Sequence, residues 1–299
     1  MYFNIKPMVL EYIFNPLVLK KKPWEMFLVG FVYSIIALFL SYLVFKEISG
    51  LLTVFLIVIA VLPTMYITIK SEEELDLKYE GEWRLLQEHA KVIVFLVFMF
   101  FGVTAALVLS YIFLPQVMVD DVFGLQHQAI VNVNNYVKGK IVGVNVGDIT
   151  GQITKADLFV KIFLNNLKVL FFCLIFSLLY GTGALFILIW NASVIAAAVG
   201  SLVKSKLAET ATLVGFELIS AYLGTATSSF FKYMFHGILE ITAYFIIGLA
   251  GGILSMALIK KDLSYDSIMT DVLDLVLISI GFLLVGGIVE VYITPLFFS

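Results

Sequence analysis

The sequence contains few charged residues, and this shortage excludes most classes of soluble protein. Only 14% of its 299 residues are Asp, Glu, Lys or Arg, whereas 61% are hydrophobic. Soluble domains are roughly 25% charged and about 45–50% apolar, and the mean hydropathy here is +1.04. A chain of this composition cannot cover a water-facing surface, so the sequence predicts an integral membrane protein.

The sequence is also poor in the residues that build metal and redox sites. Cys173 is the single cysteine, which excludes an internal disulfide framework and a multi-cysteine zinc site. The histidines, His89, His127 and His236, are far apart and form no pair at metal-ligand spacing. We therefore expect no bound metal, no cofactor and no catalytic residues.

Signals for binding phosphate or nucleic acid are missing as well. The chain has no glycine-rich phosphate-binding loop and no nucleophile elbow. Its 19 Lys and Arg residues are scattered and the net charge is −3, so no basic stripe would hold a nucleic acid. The composition favours a non-enzymatic protein that has the lipid bilayer as its main partner.

Long apolar runs predict helices that cross a bilayer, because lipid leaves a spanning backbone no water to bond to. Six runs meet this criterion: residues 27–45, 48–69, 92–114, 169–190, 237–259 and 275–298. A shorter run, 192–203, predicts the start of a seventh crossing, and 207–231 predicts a partly buried segment that re-enters, spans or lies on the membrane. The predicted fold class is therefore an all-α polytopic membrane protein with about seven transmembrane helices, in a range of six to eight.

Lysines near the apolar runs indicate the orientation in the membrane. Lys20, Lys21 and Lys22 precede the first run, and Lys260 and Lys261 follow the run 237–259. The positive-inside rule then predicts a multi-pass cell-membrane protein with a cytoplasmic amino terminus. The first run is long and follows a basic stretch, so we expect it to stay as a signal anchor rather than to be cleaved.

Two segments between the runs are expected to leave the membrane. Residues 70–91 hold seven acids and predict a short cytoplasmic helical elbow, with either a solvated charged face or a partner-docking face. Residues 115–160 form a partly ordered external loop, in which alternating valines and isoleucines predict two short strands or an extended cap. The chain thus divides into residues 1–91, with two spans and the elbow, and a transmembrane core, 92–299. The loop and the elbow are the expected docking sites for partner proteins.

Ionisable side chains within the runs are candidate functional residues, because a charge inside a bilayer is costly. His236 and Glu240 are four residues apart, so they share one face of a helix. Glu290 is the only charged residue in the run 275–298. Each of the three fits a structural polar contact, and each also fits binding of a proton or a cation.

Asparagines flank the run 169–190. Asn165 and Asn166 precede it, and Asn191 follows it directly. An amide donates and accepts hydrogen bonds without carrying charge, so it satisfies backbone groups freed where a helix is broken. Asn191 is predicted to be the N-cap of a new helix. Together with the three ionisable residues, these asparagines form the predicted polar cluster inside the membrane.

Small residues recur at spacings that let membrane helices approach closely. Four-residue spacings are typical of this packing, and two such pairs occur in the second half of the chain. The predicted packing positions are Gly181, Gly183, Ala196, Gly200, Gly248 and Gly252. They fit the interior of a single bundle, and the alternative is an interface in a homo-oligomer.

Three segments, taken in order, carry a recognisable pattern: NNLKVLFFCLIFSLLYGTGALFILIWNASVIAAAVG, FHGILEITAYFIIGLAGGILS and GGIVEVYITP. An Asn-Asn pair opens a span with Gly-x-Gly, and an Asn begins the next helix. A His-Gly-x-x-Glu then leads into an Ala- and Gly-rich span, and a Glu-x-x-x-Thr-Pro closes the pattern. In these features residues 90–298 resemble the stage II sporulation protein M family. The matching positions are Asn165, Asn166, Gly181, Gly183, Asn191, His236, Gly237, Glu240, Gly248, Gly251, Glu290 and Pro295.

The resemblance implies an integral membrane protein that works through partners. In endospore-forming bacteria, the namesake of the family acts in engulfment and holds peptidoglycan-degrading partners at the septal membrane. Members also occur in organisms that neither sporulate nor make murein. The first hypothesis for this chain is accordingly a membrane scaffold for partner proteins.

A second hypothesis comes from the charged residues within the runs. An ion- or proton-coupled transporter or channel would use His236, Glu240 and Glu290, because short segments such as 192–203 also occur in discontinuous ion-binding helices. An intramembrane hydrolase is the most remote interpretation, since the sequence shows no Ser/Lys dyad and no paired Asp.

Overall fold

The chain is helical in every range that the computed structural model describes, namely residues 22–76, 82–142, 155–178, 182–209, 216–260 and 265–297. The helices are α1 (Pro23–Val44), α2 (Ser49–Asp76), α3 (Glu82–Phe113), α4 (Gln116–Val142), α5 (Lys155–Ser177), α6 (Thr182–Glu209), α7 (Phe216–Lys260), α8 (Tyr265–Ile288) and α9 (Thr294–Phe297). A short 3₁₀ helix, Lys46–Ile48, lies between α1 and α2, and a π-helix, Val289–Ile293, joins α8 to α9.

Seven segments of these helices are long and apolar enough to cross a bilayer. They are Pro23–Val44, Lys46–Thr68, His89–Phe113, Lys155–Ser177, Ala184–Lys206, Gly237–Ser255 and Ile268–Leu296. They belong to α1–α3 and α5–α8, and the last one also includes the π-helix. The prediction of an all-α polytopic membrane protein with about seven transmembrane helices is confirmed.

Hydroxyl side chains inside the spans are satisfied by the helix that carries them. Ser34 donates to the carbonyl of Gly30 at 2.7 Å, and Thr104 donates to that of Phe100 at 2.8 Å. Each of these hydrogen bonds reaches back one turn to a backbone carbonyl oxygen of the same helix. Such residues therefore sit in an apolar span without an unsatisfied group, which lipid could not satisfy.

The closest helix contact in the bundle joins α1 and α3 through two glycines. A Cβ atom at Gly30 would lie 2.5 Å from the carbonyl oxygen of Met99, and one at Gly102 would overlap the carbonyl oxygen of Phe27. Each glycine thus faces backbone of the other helix rather than a movable side chain. Close backbone approach is how membrane helices gain packing energy without a hydrophobic driving force.

The prediction of one span over residues 169–190 is wrong. α5 ends at Ser177, and α6 begins at Thr182. One side of this helix end lies against α7. Ser255 of α7 donates its hydroxyl to the carbonyl of Leu178 at 2.5 Å, and a Cβ at Gly251 would lie 2.6 Å from that of Ser177. These contacts hold the end of α5 against α7.

The fifth span therefore begins earlier than the sequence indicated. Residue 192, where the sequence predicted the start of a crossing, lies in the middle of α6. The membrane segment of this helix is Ala184–Lys206. Asn191 lies inside this helix, so the prediction of an N-cap is wrong. An amide side chain is compatible with a helix interior.

The strands predicted in residues 115–160 are replaced by a helix. Ile130, Val131, Val133, Val137 and Ile141 all belong to α4, and Val144 and Val146 lie outside the described residues. The alternation of valines and isoleucines is local, and the residues before it in α4 follow a helical pattern. The side chains buried in this part of α4 recur at helical spacing: Val119, Val122, Phe123 and Gln126.

The segment 207–231 is mostly a helical extension. α6 runs on to Glu209, and α7 begins at Phe216 and continues for 45 residues. At 1.5 Å per residue α7 is about 67 Å long, more than twice the roughly 30 Å hydrocarbon core. Where their exposure is described, Glu217, Ser220 and Phe231 are exposed. A partly buried re-entrant segment is therefore a wrong prediction for residues 216–231.

The acidic elbow also consists of helix extensions where it is described. α2 continues to Asp76, beyond its membrane segment, and α3 begins at Glu82, before its own. Residues 77–81 lie outside the described part.

Replacing Gly102 by alanine tests the close contact between α1 and α3. We expect Gly102→Ala to lower the free energy of unfolding by about 1–3 kcal/mol, because the new methyl group displaces backbone. Gly124→Ala is the matched control, since no heavy atom lies within 4 Å of a Cβ placed there. It should be neutral or stabilising by up to about 1 kcal/mol. Thermal unfolding of the purified protein in detergent measures both, and equal stability of the two variants would contradict the contact.

Candidate functional site

A group of polar side chains lies where α5, α7 and the π-helix after α8 meet. Asn166 comes from α5, Glu240 and Tyr244 come from α7, and Glu290 lies in the π-helix. All four belong to membrane-spanning segments. We call these four residues the carboxyl cluster.

The centre of the carboxyl cluster is a hydrogen bond between two helices. The side-chain amide of Asn166 donates from Nδ2 to Oε1 of Glu240. The two residues are 74 positions apart in the sequence, so only the packing of α5 against α7 brings them together. A hydrogen bond to a carboxylate is among the stronger polar contacts in a protein.

Glu290 and Tyr244 complete the cluster around this bond. Glu290 is close enough to Glu240 for the charges of the two carboxyl groups to interact, and Tyr244 lies within the same range of both. Tyr244 is buried, with 4% of its surface exposed. Gly286 leaves room for Glu240, because a Cβ at Gly286 would lie 3.3 Å from the Glu240 Cγ.

The π-helix sets the position of Glu290. Residues Val289–Ile293 form this wider turn, and Thr294 donates its hydroxyl to the carbonyl of Val289, five residues earlier, at 3.0 Å. A π-helix inserts an extra residue into a helical turn and occurs frequently at functional sites. The insertion changes the face on which Glu290 lies relative to α8.

The structure brings together only part of the predicted polar cluster. Asn166, Glu240 and Glu290 meet, whereas Asn165 is exposed on the neighbouring face of α5. His236 lies on α7 one turn before Glu240, and its side chain is outside the described part. Asn191 is half-buried in the middle of α6.

The predicted small residues lie at helix contacts in several cases. A Cβ at Gly248 would be 3.0 Å from that of Ala184, and one at Gly200 would overlap the ring of Tyr111. Ala196 and Gly252 are buried. Gly183 lies in the first turn of α6, and Gly181 is outside the described residues.

Sequence analysis missed a second polar group, which holds α4 against the bundle. Gln126 donates its amide to the Ser193 hydroxyl of α6 at 3.1 Å, and His127 hydrogen-bonds to the Tyr111 hydroxyl of α3. Glutamine and serine scattered in separate apolar segments give no motif, so this pairing could be found only from the fold.

Two lysines add to the attachment of α4. The Lys204 ammonium donates to the side-chain oxygen of Gln116, the first residue of α4, at 3.3 Å, and to the carbonyl of Leu114 just before α4 at 3.2 Å. Lys46 lies 3.6 Å from Asp121 of α4. These contacts place the start of α4 at the end of the bundle where α1 gives way to α2.

The chemistry available to the carboxyl cluster is limited to a few events. Two carboxyl groups within electrostatic range of each other in a poorly polar region are costly when both are charged, and a proton or a cation lowers that cost. Within the described residues, no three His, Cys, Asp or Glu side chains come together at metal-binding distance. The cluster therefore fits a structural hydrogen-bonded contact, and it also fits a proton or one small cation.

Seven spans around a polar cluster of paired carboxyls define the class of this protein as a multi-pass integral membrane protein. Within that class, the chain belongs to the stage II sporulation protein M family, whose model matches residues 91–295. The family resemblance predicted from the sequence is thereby confirmed. No curated protein and no solved structure matches the chain. Asn166, Glu240 and Glu290 all lie inside the matched region, which runs from the start of the third span to the end of the seventh.

Leucine at Asn166 tests whether the hydrogen bond holds α5 against α7. Asn166→Leu leaves Glu240 without its amide donor, so we expect a loss of about 1–2 kcal/mol in the free energy of unfolding. Asn165→Leu is the matched control in the same helix, because Asn165 points away from the cluster, and it should change stability little. Denaturant titration in mixed micelles measures both variants. A loss of equal size in both would show that the contact contributes nothing specific.

Proposed function

We propose that this chain is a non-enzymatic membrane scaffold that holds partner proteins at the cell membrane. One observation carries the proposal: Asn166 and Glu240, which match the family pattern, are hydrogen-bonded between α5 and α7, and Glu290 lies within electrostatic range of Glu240. Side chains used in this way fix the relative positions of α5, α7 and α8. A rigid bundle with no assembled catalytic group among its described residues suits a protein whose task is to position others.

The α4 helix supplies the surface on which a partner would dock. One side of it is fixed to the bundle through Val122, Phe123 and Gln126. Away from this side, Leu125 and Val131 are exposed, with 43% and 51% of their surfaces accessible, and the exposed Gln128 lies between them. α4 contains none of the seven spans, so this apolar surface is available to a protein at the end of the bundle.

Orientation in the membrane gives the side on which the partner binds. With the amino terminus in the cytoplasm, the end of α1 that lies beside α4 is external. α4 then faces the outside of the cell, where a scaffold of this family would meet enzymes that act on the cell envelope. The acidic extensions of α2 and α3 face the cytoplasm in the same arrangement.

Crosslinking from α4 tests the scaffold role. A photoreactive amino acid at Leu125 should give a discrete protein adduct in cells, and one at Leu43, a 79% exposed residue at the end of α1, should not. Adding Val131→Glu should abolish the adduct by placing a charge on the apolar surface, whereas the control Leu43→Glu, which places the same charge at the end of α1, should keep it. An adduct that is missing at Leu125, or that survives Val131→Glu, would contradict docking on α4.

A second candidate function is coupled movement of protons or cations. The observation in its favour is that the Glu240 and Glu290 carboxyl groups lie within electrostatic range of each other beside a π-helix. Paired intramembrane carboxyls recur in proton relays and ion sites. This function differs from the scaffold role in a property that can be measured directly, the flux across a sealed membrane.

Flux in proteoliposomes decides between the two candidates. For a scaffold, proton and sodium flux through wild-type protein should equal that of protein-free liposomes. Glu240→Gln, Glu290→Gln and the control Glu47→Gln, an exposed residue between α1 and α2, should all give the same baseline. Flux that is present in wild type and Glu47→Gln but lost in both carboxyl variants would overturn the scaffold in favour of transport.

A further inference from the structure

The connection between α1 and α2 lies directly against α4. We call residues 45–50 the α1–α2 tip. The family match begins at residue 91, so α1 and α2 lie outside it, whereas α4 lies inside it. α4 is also the helix on which the proposed function places the partner. The contacts of the α1–α2 tip therefore join the two additional spans to the proposed docking helix.

The direction of α4 is not set by its connection to α3. α3 ends at Phe113 and α4 begins at Gln116, so the two helices are separated by a break of two residues, Leu114 and Pro115. After this break α4 packs along α2 and α6 rather than along α3. Its position in the bundle accordingly depends on what α2 and α6 present to it.

The α1–α2 tip touches the backbone of α4 at Gly50. A Cβ at Gly50 would lie 2.4 Å from the carbonyl oxygen of Val122 and 3.5 Å from Oε1 of Gln126. A side chain at this position would displace backbone, so only glycine allows the two helices to approach this closely. Val122 and Gln126 are each 1% exposed, and Gln126 also donates to Ser193 of α6 at 3.1 Å. α4 is thus held between the start of α2 and the middle of α6.

An ion pair joins the α1–α2 tip to α4 four residues before Gly50. The Lys46 ammonium lies 3.6 Å from Oδ2 of Asp121. This carboxylate oxygen is buried and makes no hydrogen bond within the described residues. The ring of Tyr42 lies 5.8 Å from the same ammonium and borders it on the α1 side. Removing one charge of such a pair leaves the other without compensation, so Lys46 stabilises Asp121 in this position.

We propose that the α1–α2 tip positions α4 for docking, with Lys46 and Gly50 as the positioning residues. The proposal rests on the proposed function, since it concerns how the docking helix is presented to its partner. It gives the two spans outside the family match a role. They keep the apolar surface around Leu125 in one orientation, and without them α4 turns about the break at Leu114 and Pro115.

Labelling of a buried cysteine measures whether α4 leaves its position. Val122→Cys places a thiol on the buried side of α4, and wild-type protein is the blank, because Cys173 is itself buried. Gly50→Val should raise the rate of maleimide labelling in proteoliposomes by about tenfold or more, because the new side chain displaces the Val122 carbonyl. Gly281→Val in α8 is the control. No heavy atom lies within 4 Å of a Cβ there, so the rate should not change.

Charge reversal tests the ion pair in the same assay. Lys46→Glu and Asp121→Lys should each raise the labelling rate by about fivefold, because each replaces an attraction by a repulsion. The double variant restores the pair with its charges exchanged and should return to within about twofold of wild type. Glu47→Lys changes an exposed neighbour outside the pair and should leave the rate unchanged. A side chain at position 46 that acted only by its shape would not be rescued by the exchange.

The crosslink from Leu125 connects the position of α4 to docking. Gly50→Val should lower the yield of this adduct in cells by about half or more, because α4 no longer populates the orientation that the partner binds. Gly281→Val should keep the full yield.

Equal labelling rates in wild type, Gly50→Val and the single reversals would overturn the proposal. It would also be overturned by a double variant that labels as fast as the single ones, or by an adduct that Gly50→Val leaves unchanged. Failure of the scaffold role looks different, since the Leu125 adduct is then missing from wild type as well, while the labelling rates still report whether the α1–α2 tip holds α4.

Discussion

A bilayer interior offers no hydrogen-bond partner, so polar side chains inside the spans must satisfy one another within the protein. The bond from Asn166 to Glu240 meets this requirement between α5 and α7, and the π-helix brings Glu290 to the same place. Because apolar surfaces alone give little direction to helix packing in lipid, such a contact selects one arrangement. Two further contacts involve the same helix α7: Ser255 bonds to Leu178 at the end of α5, and Glu240 lies against Gly286 of α8.

The bundle extends beyond the region matched by the family. The match begins at residue 91, at the start of the third span, yet α1 contacts α3 more closely than any side chain would allow, through Gly30 and Gly102. α2 is attached in a different way, by a 2.6 Å bond between the hydroxyls of Ser41 and Thr53. The two additional spans are therefore packed into the core rather than tethered to it, and they form part of the surface that receives α4.

The sequence was informative where lipid is the dominant constraint. Composition and run length predicted the class and the number of spans, and the cost of intramembrane charge singled out Glu240 and Glu290. What it could not predict depends on distant pairing. The partner of Glu240 lies 74 residues away, the break after Ser177 falls within an apolar run, and α4 looked extended because its valines alternate downstream of its buried face.

A double-mutant cycle on Asn166 and Glu240 tests most directly the claim that their bond organises the bundle. Unfolding free energies of wild type, Asn166→Ala, Glu240→Ala and the double variant in mixed micelles give the coupling between the two side chains. The structure predicts a favourable coupling of about 0.6–1.7 kcal/mol, the range of hydrogen bonds between membrane helices. Additive effects, with no coupling beyond error, would contradict the claim and show that the positions of α5 and α7 are set by apolar packing alone.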